Sequence, residues 1–312
     1  MGEKIKLKPV IIGMVGDSGV GKTTLSKGIS KILGENNVAV ICTDDYHMYS
    51  REERAANGMC PLDPAGNFMD IMEQHLKLLC RGFPVLKPIY NHNHGTLDRP
   101  EYVAPDKPYI IVEGLLGYST KTMRDCYDIK VYLDPEEDLR LAWKIHRDQT
   151  KRGYTKQQVL DDLKKRAYYS ETFIRPQRMY ADIVVNIHGY DSNRVIAEQH
   201  LSVNNILRPT LPHPNINEHI NEELGEDILF GLMRDRDNKP VDKLEILPQI
   251  TETHFAKLTD LLWSGIDYDI ESIKNNAVQH INSREDFSLP TGAVHIMLAA
   301  QMVKASLDLR VV

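Results

Sequence analysis

The stretch Gly16-Asp17-Ser18-Gly19-Val20-Gly21-Lys22-Thr23-Thr24 decides the fold, because its first eight residues match the phosphate-binding pattern G-x-x-x-x-G-K-[ST]. The apolar run at 10–15 before it predicts a buried strand, and residues 24–33 after it predict a helix that Gly34 ends. A strand, a glycine-rich loop and a helix in this order point backbone N–H groups into one nest that suits an anion. We therefore predict that residues 16–24 bind nucleotide phosphates. Lys22 is expected on the β- and γ-phosphates and Thr23 on Mg²⁺.

Composition excludes several classes of protein. The 312 residues are 42% hydrophobic and 26% charged, so the chain can bury a core of ordinary size. A net charge of −6 argues against a nucleic-acid partner. The sequence has no apolar run of about 18 residues for a membrane span, and residues 1–6 hold no apolar signal core. The four cysteines form no C-x-x-C pair, so we read them as reduced thiols of a cytoplasmic protein.

Strands and helices alternate through the first two thirds of the chain. Apolar runs predict further strands at 38–42, 109–112, 131–133 and 181–187. Helical spacing predicts helices at 68–81, 135–151 and 155–173, whereas the polar residues 48–66 are predicted to form a loop. This alternation indicates an α/β protein with a doubly wound, mostly parallel sheet flanked by helices.

The pattern changes after residue 200. Apolar runs at 228–233 and 244–247 flank a turn and predict a β-hairpin, and helices are predicted at 251–263 and 290–308. We assign residues 1–200 to a core that carries a mobile lid at about 140–175. Residues 201–312 are assigned to a C-terminal extension of the same domain, with antiparallel strands and helices that could carry an oligomer interface.

Acidic residues follow two of the predicted strands. Asp44 and Asp45 come after the strand at 38–42, and Glu113 follows the strand at 109–112. Ligands of open α/β sheets bind at the carboxyl ends of the strands, so these carboxylates should face the phosphate loop. Successive strand residues point to opposite faces, so only one of Asp44 and Asp45 should face the site, and the spacing leaves the choice open. Glu113 takes the place of a metal-organising acid.

Two polar features add candidate binding residues. Residues 87–95 contain Tyr90, His92 and His94, which favour a site for a hydroxylated substrate over a metal site, since no cysteine or carboxylate lies nearby at ligand spacing. A hairpin tip is the alternative. The helix at 135–151 carries a cationic stripe of Arg140, Lys144, Arg147 and Lys151. This stripe is either a solvated face or an element that closes over the γ-phosphate.

The order of these segments resembles the phosphoribulokinase family. The resemblance covers residues 10–187 and rests on residues 16–24, 43–47, 62–64, 87–92, 112–115, 142–148 and 176–182. The wider group includes uridine kinases, which share the loop and the fold. Segment 87–92 is similar to phosphoribulokinases and differs from the nucleoside-reading segment of uridine kinases.

The resemblance implies a P-loop kinase fold and transfer of the γ-phosphoryl group of ATP, with Mg²⁺, to the C1 hydroxyl of D-ribulose 5-phosphate. It implies Asp44 as the general base and a homodimer. The residues implied to act on the transferred phosphate are Lys22, Lys144 and Arg147. Those implied to bind the sugar phosphate are His47, Arg51, Tyr90, His92 and Arg152. Those implied to organise the metal are Thr23, Glu113 and Asp148.

One position departs from the light-regulated members of the family, in which a cysteine of the phosphate loop pairs with a cysteine near residues 44–47. Here Cys42 is present, but the loop position is Val20, so the resemblance implies that this thiol switch is absent. Two alternatives to a phosphoribulokinase remain from the sequence. One is a uridine or other nucleoside kinase of the same family, and the other is a nucleotide-dependent switch ATPase.

Overall fold

A computed structural model describes residues 8–104, 106–189, 201–213, 216, 224–284 and 287–308. The predictions for residues 1–6, and the stretch 190–200 before the predicted boundary, lie outside the described residues. Within the described ranges, no helix combines the length and the apolar character that a membrane span needs.

The described residues form ten strands and nine α-helices. The strands are β1 (Val10–Val15), β2 (Val38–Cys42), β3 (Val85–Asn91), β4 (Thr96–Val103), β5 (Tyr109–Gly114), β6 (Ile129–Leu133), β7 (Ile183–Gly189), β8 (Leu201–Leu207), β9 (Ile228–Arg234) and β10 (Pro240–Ile246). The helices are α1 (Lys22–Leu33), α2 (Arg51–Asn57), α3 (Met69–Leu79), α4 (Lys121–Arg124), α5 (Glu137–Arg152), α6 (Lys156–Tyr169), α7 (Glu252–Trp263), α8 (Glu271–Asn282) and α9 (Leu289–Asp308).

One eight-stranded sheet organises the fold, in the order β2-β5-β1-β6-β7-β8-β10-β9. The strands from β2 to β7 pair in parallel, and β8, β10 and β9 extend the sheet by antiparallel pairing. Strands β3 and β4 form a separate antiparallel hairpin. The predicted doubly wound sheet with a C-terminal hairpin and helices is therefore confirmed. The strand order reverses at β1, which places a ligand crevice at its carboxyl end.

Side chains of β1 alternate between two apolar cores, as the pleat of a strand requires. Ile12 and Met14 face a core that α1, α7, α8 and α9 cover. Ile11 and Val15 face a second core that α3 covers, together with residues of the β3–β4 hairpin. Both faces of the parallel part of the sheet are thus covered, so backbone and side chains at the end of β1 are held from two sides.

The structure corrects the predicted loop at 48–66, which contains α2. The Ser50 hydroxyl accepts a hydrogen bond from the Glu53 amide at 3.2 Å, and the Glu53 carboxylate accepts one from the Ser50 amide at 2.7 Å. This capping box starts the helix, and its S-x-x-E signature was visible in the sequence. The predicted helix at 155–173 is also too long, since α6 ends at Tyr169 and wider and tighter turns continue to Tyr180.

Gly28 allows α1 to approach α9 closely. A Cβ at this position would lie 2.5 Å from His295 Nδ1. We expect Gly28→Ala to lower the free energy of unfolding by about 1–3 kcal/mol, because overpacking outweighs the intrinsic preference of a helix for alanine. Thermal unfolding measures this. Gly231→Ala on β9 is the control, because a Cβ there meets no atom of the described residues within 4 Å. Equal melting temperatures for wild type and Gly28→Ala would contradict the packing argument.

Candidate active site

The phosphate loop connects β1 to α1 and has a geometry that requires glycine. Gly19 and Gly21 have φ values of 89° and 94°, which residues with a side chain rarely adopt. The Lys22 ammonium lies over the loop and donates to the carbonyl oxygens of Gly16 at 2.8 Å and Asp17 at 2.9 Å. The strand, loop and helix therefore have the predicted arrangement, with Lys22 at the centre of the nest.

The loop opens into one cleft of about 1210 Å³. Pockets for a single small ligand are commonly about 300–1,000 Å³, so this cleft has room for two substrates. Of the candidate site residues, those that line it are Ser18, Gly19, Val20, Gly21, Lys22, Thr23, Thr24, Asp44, His47, Arg51, Tyr90, His92, Glu113, Lys144, Arg147, Asp148 and Arg152. Gly16 and Asp17 form the base of the loop and do not line the cleft.

Glu113 and Thr23 form a set of oxygen donors beside the loop. Glu113 lies on β5 opposite Met14 of β1, and its Oε1 accepts a hydrogen bond from Thr23 Oγ1 at 3.2 Å. Its Oε2 is buried and has no hydrogen-bond partner within the described residues. Burial raises the pKa of Glu113, and the charge of Lys22 opposes this shift. A buried oxygen without a partner beside a hydroxyl fits Mg²⁺, which takes few protein ligands and keeps phosphate and water oxygens.

The structure distinguishes Asp44 from Asp45. Asp45 is buried, and its Oδ2 accepts from Lys87 Nζ at 2.5 Å while its Oδ1 accepts from the Tyr90 amide at 3.0 Å. Asp44 lines the cleft. Burial lowers the pKa of Lys22, and the negative charge of Asp44 is the largest opposing influence. Asp44 thus lies near the phosphate loop, whereas Asp45 anchors the β3–β4 hairpin.

The hairpin and α2 form the other end of the cleft. The ring of Tyr90 makes edge contacts with the rings of His47 and His92, at centroid distances of 4.9 Å and 5.1 Å. Arg51 Nη2 donates to the His92 carbonyl at 2.6 Å, and Arg54 Nη2 donates to the Tyr90 hydroxyl at 2.5 Å. Arg54 also lines the cleft and was missed in the sequence analysis. Its spacing of three residues from Arg51 would have placed both on one face of a helix, had α2 been recognised.

The two histidines at this end lie close to both arginines and aspartates. Burial lowers the pKa of His92, and Arg152 and Arg51 act in the same direction against Asp44 and Asp45. Burial likewise lowers the pKa of His47, with Arg54 acting in the same direction and Asp44 against it. Both imidazoles are therefore biased towards the neutral form. They can serve as hydrogen-bonding groups, and the fixed charges come from the arginines.

The first part of the cationic stripe of α5 is not a solvated face, since the side chains of Arg140 and Lys144 are buried, whereas Lys151 at its end is exposed. Lys144 Nζ contacts Asp148 Oδ2 at 2.8 Å, while Arg147 and Arg152 contact Asp148 Oδ1 at 2.8 Å and 3.5 Å. Three cations thus occupy both oxygens of Asp148. This arrangement favours a role for Asp148 in orienting the cations, and its predicted role in organising Mg²⁺ stays a prediction.

Helix α5 packs directly on the phosphate loop. A Cβ on Gly19 would lie 2.8 Å from the Cβ of Lys144. Arg140 Nη1 donates to the Ser18 carbonyl at 3.0 Å, and Arg147 Nη2 lies 3.4 Å from the Ser18 hydroxyl. The stripe therefore faces the position where the loop would hold phosphates.

Comparisons with known proteins agree with this geometry. A family model described as the phosphoribulokinase / uridine kinase family matches residues 11–192, more than half of the chain. A phosphoribulokinase of Synechocystis sp. is 41% identical over 178 residues, which are 57% of this chain and 53% of that protein. The chloroplastic phosphoribulokinase of Arabidopsis thaliana is 34% identical over 195 residues, 57% of this chain and 49% of that protein. The chain thus matches about half the length of these two relatives.

Two further proteins broaden the comparison. A uridine kinase of Streptococcus thermophilus is 34% identical over 185 residues, 57% of this chain and 86% of that protein. The solved structure of a phosphoribulokinase from Rhodobacter spheroides shares the fold, with a TM-score of 0.60 at 19% identity over 86% of this chain and 99% of that one. From the family match and this fold, we conclude that the chain belongs to the phosphoribulokinase / uridine kinase family of P-loop kinases.

Proposed function

We propose that this protein is a phosphoribulokinase, which transfers the γ-phosphoryl group of ATP to the C1 hydroxyl of D-ribulose 5-phosphate. The observation that carries the proposal is the position of Asp44, in one cleft with the phosphate loop and with a cation-rich acceptor end. A kinase of this kind needs a base near the acceptor hydroxyl and positive charge around the transferred group.

The charges at the acceptor end favour a phosphorylated acceptor. Arg51 and Arg152 both lie close enough to His92 to lower its pKa, and Arg54 does the same to His47. Arg152 already contacts Asp148, whereas Arg51 and Arg54 contact only neutral groups within the described residues. A neutral nucleoside would leave Arg51 and Arg54 without a counter-charge, and a sugar phosphate supplies one. The 41% identity to a phosphoribulokinase and the sequence of segment 87–92 support the same choice.

The geometry supports a mechanism in which the catalytic charged side chains are already in position before the substrates react. Asp44 accepts the proton of the attacking hydroxyl group. Lys22, Lys144 and Arg147 stabilise the negative charge of the transferred phosphoryl group. Thr23 and Glu113 would hold Mg²⁺, which neutralises charge on the phosphate oxygens. Residues 140–175 act as the lid that excludes water, since α5 already lies over the loop.

Asp45 and Lys87 are positioning residues in this proposal. Their ion pair joins the segment after β2, which carries Asp44, to the hairpin that carries Tyr90 and His92. The pair is buried, so its loss would leave an uncompensated charge inside the protein. The base and the acceptor site are thus held in a fixed relation.

The thiol switch of light-regulated relatives has no counterpart in the proposed enzyme. Val20 occupies the loop position and is buried. Cys42 lines the cleft, and burial raises its pKa well above the usual value, with Asp44, Asp45 and Glu113 acting in the same direction. Since the thiolate is the reactive form, Cys42 is a poor nucleophile.

A uridine kinase is the second candidate, because the match to the Streptococcus thermophilus uridine kinase covers 86% of that protein. The same base and phosphate loop would serve a nucleoside hydroxyl. The acceptor end distinguishes the two, because a phosphorylated acceptor supplies the counter-charge for Arg51 and Arg54 and a nucleoside does not. The homodimer and the division of the domain at residue 200 remain parts of the proposal.

Asp44→Asn should lower kcat by at least about 10², because a positioned general base contributes about 10²–10⁴ in rate. ADP affinity and the melting temperature should stay near wild type. Asp45→Asn is the comparison variant and should instead lower the melting temperature, since it breaks the buried pair with Lys87. Steady-state kinetics, ADP titration and thermal unfolding measure the three quantities. A kcat near wild type in Asp44→Asn would remove Asp44 as the base.

Arg51→Ala should raise KM for ribulose 5-phosphate by about tenfold or more, because a charge-assisted hydrogen bond contributes about 1.5–3 kcal/mol. KM for ATP should change little. Glu52→Ala, one residue further along α2, is the matched control on an exposed side chain. Initial-rate kinetics with each substrate varied in turn measure both constants. An increase confined to KM for ATP would contradict the placement of the sugar phosphate.

A further inference from the structure

The cleft continues past the phosphate loop to a ring cluster from the C-terminal extension, which we call the His280–Phe287–His295 cluster. The rings of His280 and Phe287 stack with centroids 4.6 Å apart, and His295 lies 5.1 Å from His280 and 4.9 Å from Phe287. All three residues line the same cleft as Lys22. They lie outside residues 11–192, to which the family model applies.

The cluster contains ring nitrogens that lack a partner. His280 Nε2 and His295 Nδ1 lie 3.0 Å apart and share one hydrogen bond. The other two nitrogens, His280 Nδ1 and His295 Nε2, have no hydrogen-bond partner in the part of the chain that the structure describes. The side chains are only 5% and 0% exposed, so water does not easily replace a partner. Buried polar atoms without partners are uncommon in proteins and often mark a site that a ligand completes.

The charge of the cluster indicates what kind of ligand fits. Burial lowers the pKa of His280 to about 4 and of His295 to about 3, with the charge of Lys31 acting in the same direction on both. Both rings are therefore neutral near pH 7, and they offer no charge to a phosphate group. A neutral imidazole nitrogen can accept a hydrogen bond from an amine or donate one to a ring nitrogen. These properties suit a flat, uncharged heteroaromatic ring.

The side chains around the cluster also suit a flat, uncharged ring. Trp143 of α5, Ile187 of β7 and Leu201 of β8 add apolar surface to the same cleft. Lys27 and Lys31 of α1 also line it. They lie about one and two helical turns beyond Thr24, on the same side of the helix. Aromatic and apolar side chains are thus added to the cleft along α1, beside the two lysines.

We propose that the His280–Phe287–His295 cluster forms the subsite for the purine base of the phosphoryl-donor nucleotide, so that the C-terminal extension completes the ATP site. This assignment rests on the proposed function in one respect, namely that the donor is a nucleotide. The free ring nitrogens bond the edge of the base, and Trp143 contacts the base from α5.

The first test uses wild-type protein and its own fluorescence. The chain has two tryptophans, Trp143 in the cleft and Trp263, the last residue of α7, in the core. ADP should change the emission of Trp143, and Trp143→Phe should abolish this change. Inorganic tripolyphosphate, which has phosphates and no base, should bind without it. An absent response to saturating ADP, or an equal response to tripolyphosphate, would overturn the proposal.

The second test compares two neighbouring residues of α8. His280→Leu removes one of the two unpartnered ring nitrogens of the cluster, and Gln279→Leu places the same side chain on the exposed face. His280→Leu should weaken ADP binding by about tenfold, because one contact to the base is lost, and tripolyphosphate binding should not change. Gln279→Leu should match wild type in both titrations, which isothermal calorimetry follows.

The outcomes separate this proposal from the proposed function. An unchanged ADP affinity in folded His280→Leu, or an equal loss of ADP and tripolyphosphate affinity, would overturn the base subsite. If His280→Leu does not fold, the response of Trp143 fluorescence to ADP and tripolyphosphate in the wild-type protein tests the base subsite. The expected ADP responses in a protein that does not phosphorylate ribulose 5-phosphate would support the base subsite while the proposed function fails.

Discussion

The buried ion pair between Asp45 and Lys87 joins the two halves of the cleft. One half is built on the carboxyl ends of β1, β2 and β5, and the other half is the β3–β4 hairpin with α2, which lies outside the main sheet. A hairpin of two strands is marginally stable by itself, so its position depends on what it is attached to. Asp45 supplies this attachment twice, because it also accepts the Tyr90 amide. The adjacent Asp44 is thereby held at a fixed place between the two halves.

The distribution of charge follows from the same arrangement. Phosphoryl transfer between two anions requires cations that are positioned in advance. The charge of a flexible lysine on the surface is screened by water, so it stabilises a phosphate less. Here Lys144 is almost fully buried, and Asp148 fixes it together with Arg147 and Arg152. Gly19 lets the backbone of α5 approach the loop closely enough for this. The glycines of the loop therefore allow close approach both of the phosphate groups and of α5.

The sequence predicted the parallel sheet well, because each parallel strand is a short apolar run next to a clear turn or helix signal. Strand β8 was missed since Asn204 and Asn205 interrupt its apolar pattern, although Asn205 is fully buried. Helix α8 was missed because its sequence is largely polar, and it depends on packing against α1, where Asn276 donates to the Ile32 carbonyl. In the site, the choice between Asp44 and Asp45 required Lys87, 42 residues further along the chain. The burial of Arg140 and Lys144 likewise depends on contacts with the loop, which no local pattern shows.

ADP release from MgATP, measured with three different additions, tests most directly whether the acceptor is a sugar phosphate. Ribulose 5-phosphate, uridine and buffer alone are supplied to the same enzyme preparation under the same conditions. Turnover with ribulose 5-phosphate, and only background release with uridine or buffer, is the predicted result. Faster turnover with uridine would identify a nucleoside kinase, and equal turnover without an acceptor would identify a nucleotide hydrolase. Either result would contradict a sugar phosphate as the acceptor.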